Sequence, residues 1–410
     1  MSDEALVLSE AEQYVLEGGS GLAARKAMQI LVALGKIYGA RRMIPVSSVQ
    51  IAGVSYANLG EAGLQFLDEL AEGGGHCRVL TTLNPAGMDI ENWQALGIDA
   101  EFAHQQQCVI EAFQRMGVVT TCTCTPYLSG NLPHFGEHIA WAESSAVCFA
   151  NSVIGARTNR EGGPSALAAA LTGVTPEYGY HLDHERQPTL SVEVRASLER
   201  DSGGSATQEF GALGKLIGER LQAMELRPVP YIRGVSRASL EELKSFCASL
   251  ATFGGAALFH MQGITPEASA YTAPTLTYEV TRAGLDAARA ELTDGDVDAA
   301  DFVSLGCPHL SIREIARLAE LLAGKHVTKE FWITTARPVK QIADQKGYSA
   351  VIEASGAKFA VDTCCVVAPI EGRFKLLVTD SAKACYYAYA KNHFKTRLLP
   401  FDEVVREALR

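Results

Sequence analysis

Three of the ten cysteines stand in settings unlike the other seven: Cys124 in TCTCTPY, Cys307 in SLGCPHLS and Cys364 in VDTCCVVAP. Each follows an apolar run and lies near a proline and a small residue, the pattern of a strand-to-loop turn that can hold a thiolate toward a cleft. Three such thiolates together would make a soft site suited to an iron–sulfur cluster or to zinc. The positions are 183 and 57 residues apart and no compact CxxC motif is present, so spacing alone does not assemble them. Taken singly, a cysteine among apolar neighbours is more often a buried structural thiol than a ligand. Cys122 and Cys365 could each serve in place of a neighbour, and Cys77, Cys108, Cys148, Cys247 and Cys385 read as structural.

Polar segments supply a second kind of chemistry. The run Phe135–Gly163 carries Glu137, His138, Glu143, Ser144 and Ser145, then Arg157, Asn159, Arg160 and Glu161. Its centre, Ile139 to Val153, is expected to form a helix stopped at Gly155, with a loop beyond it presenting the arginines. An arginine fork matches carboxylate or phosphate oxygens, and an amide such as Asn159 can complete the cradle; the competing reading is a surface ion pair with Glu161. In Thr81–Asp89 (TTLNPAGMD), Asn84-Pro85 opens a turn whose amide is a potential ligand donor. Ser381 and Lys383 in TDSAK follow an apolar run and suit an anion site or a helix cap. His138 and His309 are candidate acid/base groups, because an unperturbed imidazole titrates near neutrality, yet neither has a diagnostic partner in sequence, and no catalytic step is assigned to them.

The elements that must position these groups are of the α/β class. Leu22–Tyr38 and Leu213–Glu225 repeat apolar residues at helical spacing, whereas Met43–Val49, Cys77–Thr82 and Gly117–Thr121 are short apolar runs flanked by breakers. The 410 residues suit one large catalytic region with internal divisions. Its internal boundaries are expected near 201–206 (DSGGSA) and 293–301, which lack the apolar residues a packed element requires. A net charge of -11 argues against nucleic acid as a partner, but a few placed arginines can still hold a small anion. The acidic amino terminus does not read as a signal peptide, and no apolar stretch nears the roughly 20 residues that span a bilayer. The expected location is therefore the cytoplasm, away from membranes, with cysteines as thiols or metal ligands.

Taken together and in order, TTLNPAGMD, CTPYLSGNLPHFGEHIAWAESSAVCFANSVIGARTNREGG, GCPH, DTC and TDSAK resemble the large subunit of the aconitase X family. The resemblance covers most of the chain and implies an aconitase-like large-subunit architecture, several α/β subdomains around a central cleft. It implies Cys124, Cys307 and Cys364 as ligands of an iron–sulfur cluster, with Asn84, Arg157, Asn159, Arg160, Ser381 and Lys383 around a small anionic substrate. The implied reaction is loss of water from a hydroxy acid, with iron acting as a Lewis acid on the hydroxyl while a base takes the neighbouring proton. It further implies a separate small swivelling-domain subunit that supplies the catalytic serine, so no serine of this chain is assigned. Family members act on mevalonate 5-phosphate or on cis-3-hydroxy-L-proline, and TNREGGPSA is more similar to the first type. Gln50 departs from the family, which commonly has histidine there. Two other readings compete: a non-catalytic structural zinc protein, favoured if His309 were a fourth ligand, and an isomerase that rehydrates its intermediate.

Overall fold

A computed structural model describes residues 6–294 and 300–410. The chain builds three α/β layers in succession, and parallel strands dominate each. In the first, α1 (Glu10–Leu16) and α2 (Leu22–Ile37) precede β1 (Met43–Pro45) and β2 (Ser48–Ile51), then come α3 (Tyr56–Glu72), β3 (Leu80–Leu83) and α4 (Ala100–Arg115). β4 (Ala140–Trp141), α5 (Ser144–Phe149), α6 (Gly163–Thr172) and β5 (Val174–Pro176) complete it. The parallel order is β3-β2-β4, and β1 pairs antiparallel with β5. α2 buries Ala23, Ala24, Ala27, Met28 and Leu31, one stripe at helical spacing. The alanine-rich α6 is buried on every side, as a helix with no polar face must be.

The second layer holds β6 (Leu190–Val194), α7 (Thr207–Ala223), β7 (Pro230–Arg233), α8 (Leu240–Gly254), β8 (His260–Met261), β9 (Thr277–Val280) and α9 (Arg282–Ala290). Its parallel order is β8-β7-β6-β9, and Phe210, Phe246 and Phe259 fill its core. The third layer holds β10 (Phe302–Leu310), α10 (Ile312–Leu322), β11 (Glu330–Thr335), α11 (Arg337–Gln345), α12 (Tyr348–Ala354), β12 (Lys358–Val361), β13 (Leu376–Thr379), α13 (Ala382–Ala390), β14 (Lys395–Leu398) and α14 (Phe401–Ala408). Its parallel order, β12-β11-β10-β13-β14, places a topological switch between β10 and β13. Residues on opposite faces of β10 enter different cores, Val303 and Leu305 on one side and Phe302 on the other. In an open parallel sheet such a switch leaves a crevice outside the carboxyl ends of the strands, where ligands bind.

The α/β expectation holds, with local corrections. Met43–Val49 divides into β1 and β2, the strand expected at Cys77–Thr82 runs from Leu80 to Leu83, and Gly117–Thr121 contributes only a bridge from Val119 to Thr82. The helix expected over Ile139–Val153 begins at Ser144, because Ala140 and Trp141 pair with Val49 and Gln50 of β2. It widens into a π-turn at Ala150–Ile154 and does stop at Gly155, whose φ of 81° suits glycine. DSGGSA leads into α7, where Asp201 accepts from the Gly203 and Ser205 amides. Of the 293–301 connection, residues 295–299 lie outside the described ones. No helix among the described residues is long and apolar enough to cross a membrane.

A buried ionic strap joins the first and third layers. Arg337 meets Asp362, with Nε at 3.0 Å, and Asp89, with Nη2 at 3.1 Å. Asp89 Oδ2 accepts from the Val361 amide at 3.0 Å, and Ala86 N donates to the Asp362 carbonyl at 2.8 Å. TTLNPAGMD is thus pinned beside the segment that carries Cys364. Arg337→Met is expected to cost roughly 2–3 kcal/mol in chemical denaturation, because two buried carboxylates lose a cation while Asp89 keeps its amide donors. A change below about 0.5 kcal/mol would mean that the strap is inert.

Candidate functional site

The sheets deliver their chemistry at one edge. Asn84 follows β3, Glu143 follows β4, Cys307 lies near the end of β10, Cys364 follows β12, and Ser381 and Lys383 follow β13. All occupy carboxyl ends of parallel strands, and the last two stand across the β10/β13 switch from Cys307. Gly306 allows the turn into Cys307: its φ is 109°, and a Cβ there would strike the Thr334 carbonyl.

Cys124 and Cys364 are buried, and Cys307 is half-buried. Burial pushes the Cys124 thiol up to about 12, with the charges of Glu143 and Cys364 adding and Lys383 opposing. Cys307 is pushed well up by burial, then by Cys364, against Lys383. Cys364 is raised by burial against nearby amides and Lys383. Each of the three thiols therefore lies within the field of Lys383. Among the described residues, no group of three or more His, Cys, Asp or Glu side chains closes on a single ion position. Cys122 is raised by burial and then by Asp362, on the side of the ionic strap.

Lys383 Nζ donates to Glu143 Oε1 at 2.7 Å across 240 residues of chain. Burial alone would raise Glu143, but Lys383, the Ser145 hydroxyl at 2.6 Å and the Ala146 amide at 2.6 Å outweigh it and hold the carboxyl below its usual range. Burial would likewise lower Lys383, yet Glu143 and the thiols raise it. The pair is charged. Glu143 caps α5, and Ser381 caps α13 by accepting from Ala384 N at 3.1 Å, so two helix amino termini meet here and favour negative charge. Among the described residues Asn84 Oδ1 is buried without a partner, as is Oε1 of the fully buried Gln50, whose Nε2 donates to the Thr123 carbonyl at 2.9 Å.

The remaining expected substrate residues separate. Arg157 pairs alongside His138, at the amino end of β4, and donates to the His181 carbonyl at 3.1 Å and to Asp183 at 2.5 Å. Both groups of the Asn159 amide are spent on backbone, donating to Tyr178 O at 3.0 Å and accepting from Tyr180 N at 2.9 Å. Arg160, nearer the carboxyl end of β4, is exposed and makes no ion pair among the described residues. Glu161 turns inward to Ser165 at 2.6 Å, so the pair suggested by their adjacency is absent. Sequence reasoning passed over Glu143 as one polar residue among several; its place before a Ser-Ser helix start was the available signal.

His309 is fully buried and uses both ring nitrogens. Nε2 is 2.9 Å from the Thr363 carbonyl, which can only accept, so Nε2 carries the proton and Nδ1 accepts from the Thr123 hydroxyl at 2.9 Å. Burial pushes it down to about 4, so the ring is neutral near pH 7. With neither nitrogen free, His309 does not offer the fourth ligand that a closed zinc site requires.

Three family models describe the chain in order: Aconitase X first domain at residues 5–184, second domain at 188–300 and third domain at 300–410. The phosphomevalonate dehydratase large subunit of Methanothermobacter thermautotrophicus is 45% identical over 93% of this chain and 93% of its own length. That of Thermococcus kodakarensis is 43% identical over 98% and 100%. The cis-3-hydroxy-L-proline dehydratase of Pseudomonas aeruginosa is 36% identical, and this chain spans 66% of it. The crystal structure of Thermococcus kodakaraensis aconitase X in its holo-form superposes with a TM-score of 0.90 at 43% identity, covering 98% of this chain and 100% of that one. These relatives are dehydratases, which sets aside a non-catalytic zinc protein. The chain belongs to the aconitase X family and is a carbon–oxygen lyase of the hydro-lyase class.

Proposed function

We propose that this chain is the cluster-bearing large subunit of a cytoplasmic two-chain dehydratase that removes water from mevalonate 5-phosphate. The observation that carries the reading is the Lys383–Glu143 pair, which joins the carboxyl ends of β13 and β4 and whose cation acts on the thiols of Cys124, Cys307 and Cys364, the first and last buried and Cys307 half-buried. Their donor set, soft and sulfur-only, fits an iron–sulfur centre held by Cys124, Cys307 and Cys364. That centre would supply Lewis acidity to the departing hydroxyl. Lys383 is the fixed cation for the substrate carboxylate, and the amino terminus of α13 at Ser381 faces the same charge. Asn84, whose buried Oδ1 has no partner among the described residues, accepts from a substrate hydroxyl and orients it. In the reaction the C–O bond and the adjacent C–H bond break, a C=C bond forms, and the proton leaves to a base. The base is assigned to the partner, since the relatives' name, large subunit, points to a small one. Ten unpaired thiols suit the reducing cytoplasm.

Identities of 45% and 43% to the phosphomevalonate dehydratase large subunits of Methanothermobacter thermautotrophicus and Thermococcus kodakarensis, against 36% to the cis-3-hydroxy-L-proline dehydratase of Pseudomonas aeruginosa, support the phosphorylated substrate. Arg160 is the proposed phosphate contact at the rim, leaving Arg157 and Asn159 to hold the neighbouring backbone. Co-purified with its small subunit, the enzyme is expected to dehydrate mevalonate 5-phosphate and to leave cis-3-hydroxy-L-proline unchanged, as followed by NMR of the products; the reverse preference would reject the substrate. Arg160→Ala is expected to raise KM about 10–100-fold with little change in kcat, the loss of one charge-assisted hydrogen bond. An unchanged KM would remove Arg160 from the site.

A further inference from the structure

One side chain reaches all three cysteine segments. His309 lies two residues beyond Cys307 on β10. Its Nδ1 accepts from the hydroxyl of Thr123, the residue before Cys124, and its Nε2 donates to the carbonyl of Thr363, the residue before Cys364. Its own backbone amide lies 3.3 Å from Cys124 Sγ and donates to it. The network continues outward: the Thr123 hydroxyl also accepts from Thr125 N at 3.1 Å, and the Thr123 carbonyl accepts from Gln50. From the second layer, Lys244 Nζ donates to the His309 carbonyl at 2.8 Å and to Glu314 at 2.7 Å.

Resting on the reading that these cysteines hold an iron–sulfur centre, we infer that His309 is a positioning residue that sets the separation of the Cys124, Cys307 and Cys364 segments. It is not a ligand, because both nitrogens are engaged by protein. The argument is one of pre-organisation. The segments meet across 186 and 54 residues of chain, so local sequence does not set the distance between their thiols. A planar ring with two opposed hydrogen bonds fixes the two loops at one distance. The residue carrying it follows the third cysteine, so that thiol is registered against the other two. Ligand groups need support of this kind from neighbours that lock their orientation.

The test uses the full-length chain with its small subunit, reconstituted anaerobically with ferrous iron and sulfide. His309→Phe keeps a ring and loses both hydrogen bonds. It is expected to lower iron and sulfide per chain at least several-fold, or to speed iron loss to a chelator at least tenfold, while the metal-free protein keeps its far-UV circular dichroism and melts within a few degrees of the parent. His309→Gln, able to restore the donor to Thr363, is expected to recover part of the loading. Thr123→Val removes the Nδ1 partner, together with the hydroxyl's contacts to Thr125, keeps the Nε2 bond to Thr363, and is expected to speed chelator loss several-fold. Parental loading and chelator kinetics in His309→Phe would overturn the inference. Should that variant fail to fold, parental kinetics in Thr123→Val would overturn it. A parent protein that takes up no iron and sulfide would instead overturn the proposed function, and this inference with it.

Discussion

Serine at Cys124, Cys307 or Cys364 is expected to abolish iron binding and, with it, to lower dehydration by about a thousand-fold or more, since the chemistry depends on polarising a poor leaving group. Serine is nearly isosteric but is a hard oxygen donor, poorly suited to iron–sulfur coordination. Cys247→Ser is the control. Cys247 is buried on α8 beside Cys148, so the change places a hydroxyl in an apolar setting, costing about 1 kcal/mol of stability, and should leave iron content unaltered. Cys122→Ser serves equally, because its thiol faces the Asp362 side. Iron and sulfide analysis with visible absorbance reads the result; normal iron in any of the first three variants would remove that residue from the ligand set.

Lys383→Met is expected to act twice. It strands Glu143, which is buried and charged, and breaking a buried pair from one side typically costs about 3–5 kcal/mol. It also removes the cation proposed to meet the substrate carboxylate, which is expected to lower kcat/KM about 10²–10³-fold. The double variant Lys383→Met with Glu143→Gln separates these effects. Neutral glutamine can still accept from Ser145 and Ala146, so most of the stability should return, whereas activity should not. If activity returned with stability, Lys383 would be a structural counter-ion alone. A thermal melt and a steady-state assay on the same samples decide between them.

The contrast between α2 and β4 shows what local pattern can carry. The stripe Ala23, Ala27, Met28, Leu31 repeats over about two turns, and the helix lies within a residue of its expected span. β4 is two residues long, too short for a period of two to register, and it is a strand only because Gln50 and Val49 lie beside it. The order of segments placed the chain in its family, and the family supplied the three cysteines, which spacing could not. Glu143, Lys244 and His309 were named or passed over without a role for a single reason: their partners, Lys383, Glu314 and Thr123, are 240, 70 and 186 residues away. A lone histidine reads as packing until a fold puts a hydroxyl on one nitrogen and a carbonyl on the other. Arg157 and Asn159 were chosen by residue type, and only the bridge of Arg157 to His138 and the bonds of the Asn159 amide to the Tyr178 and Tyr180 backbone show what each is committed to.

The measurement that bears most directly on the central claim is iron and acid-labile sulfide per chain in the anaerobically reconstituted two-chain enzyme, taken beside its turnover of mevalonate 5-phosphate. The account predicts both elements in the protein and stoichiometric release of water with formation of an unsaturated product. Zinc without sulfide, or turnover that persists at full rate after iron has been stripped, would contradict it.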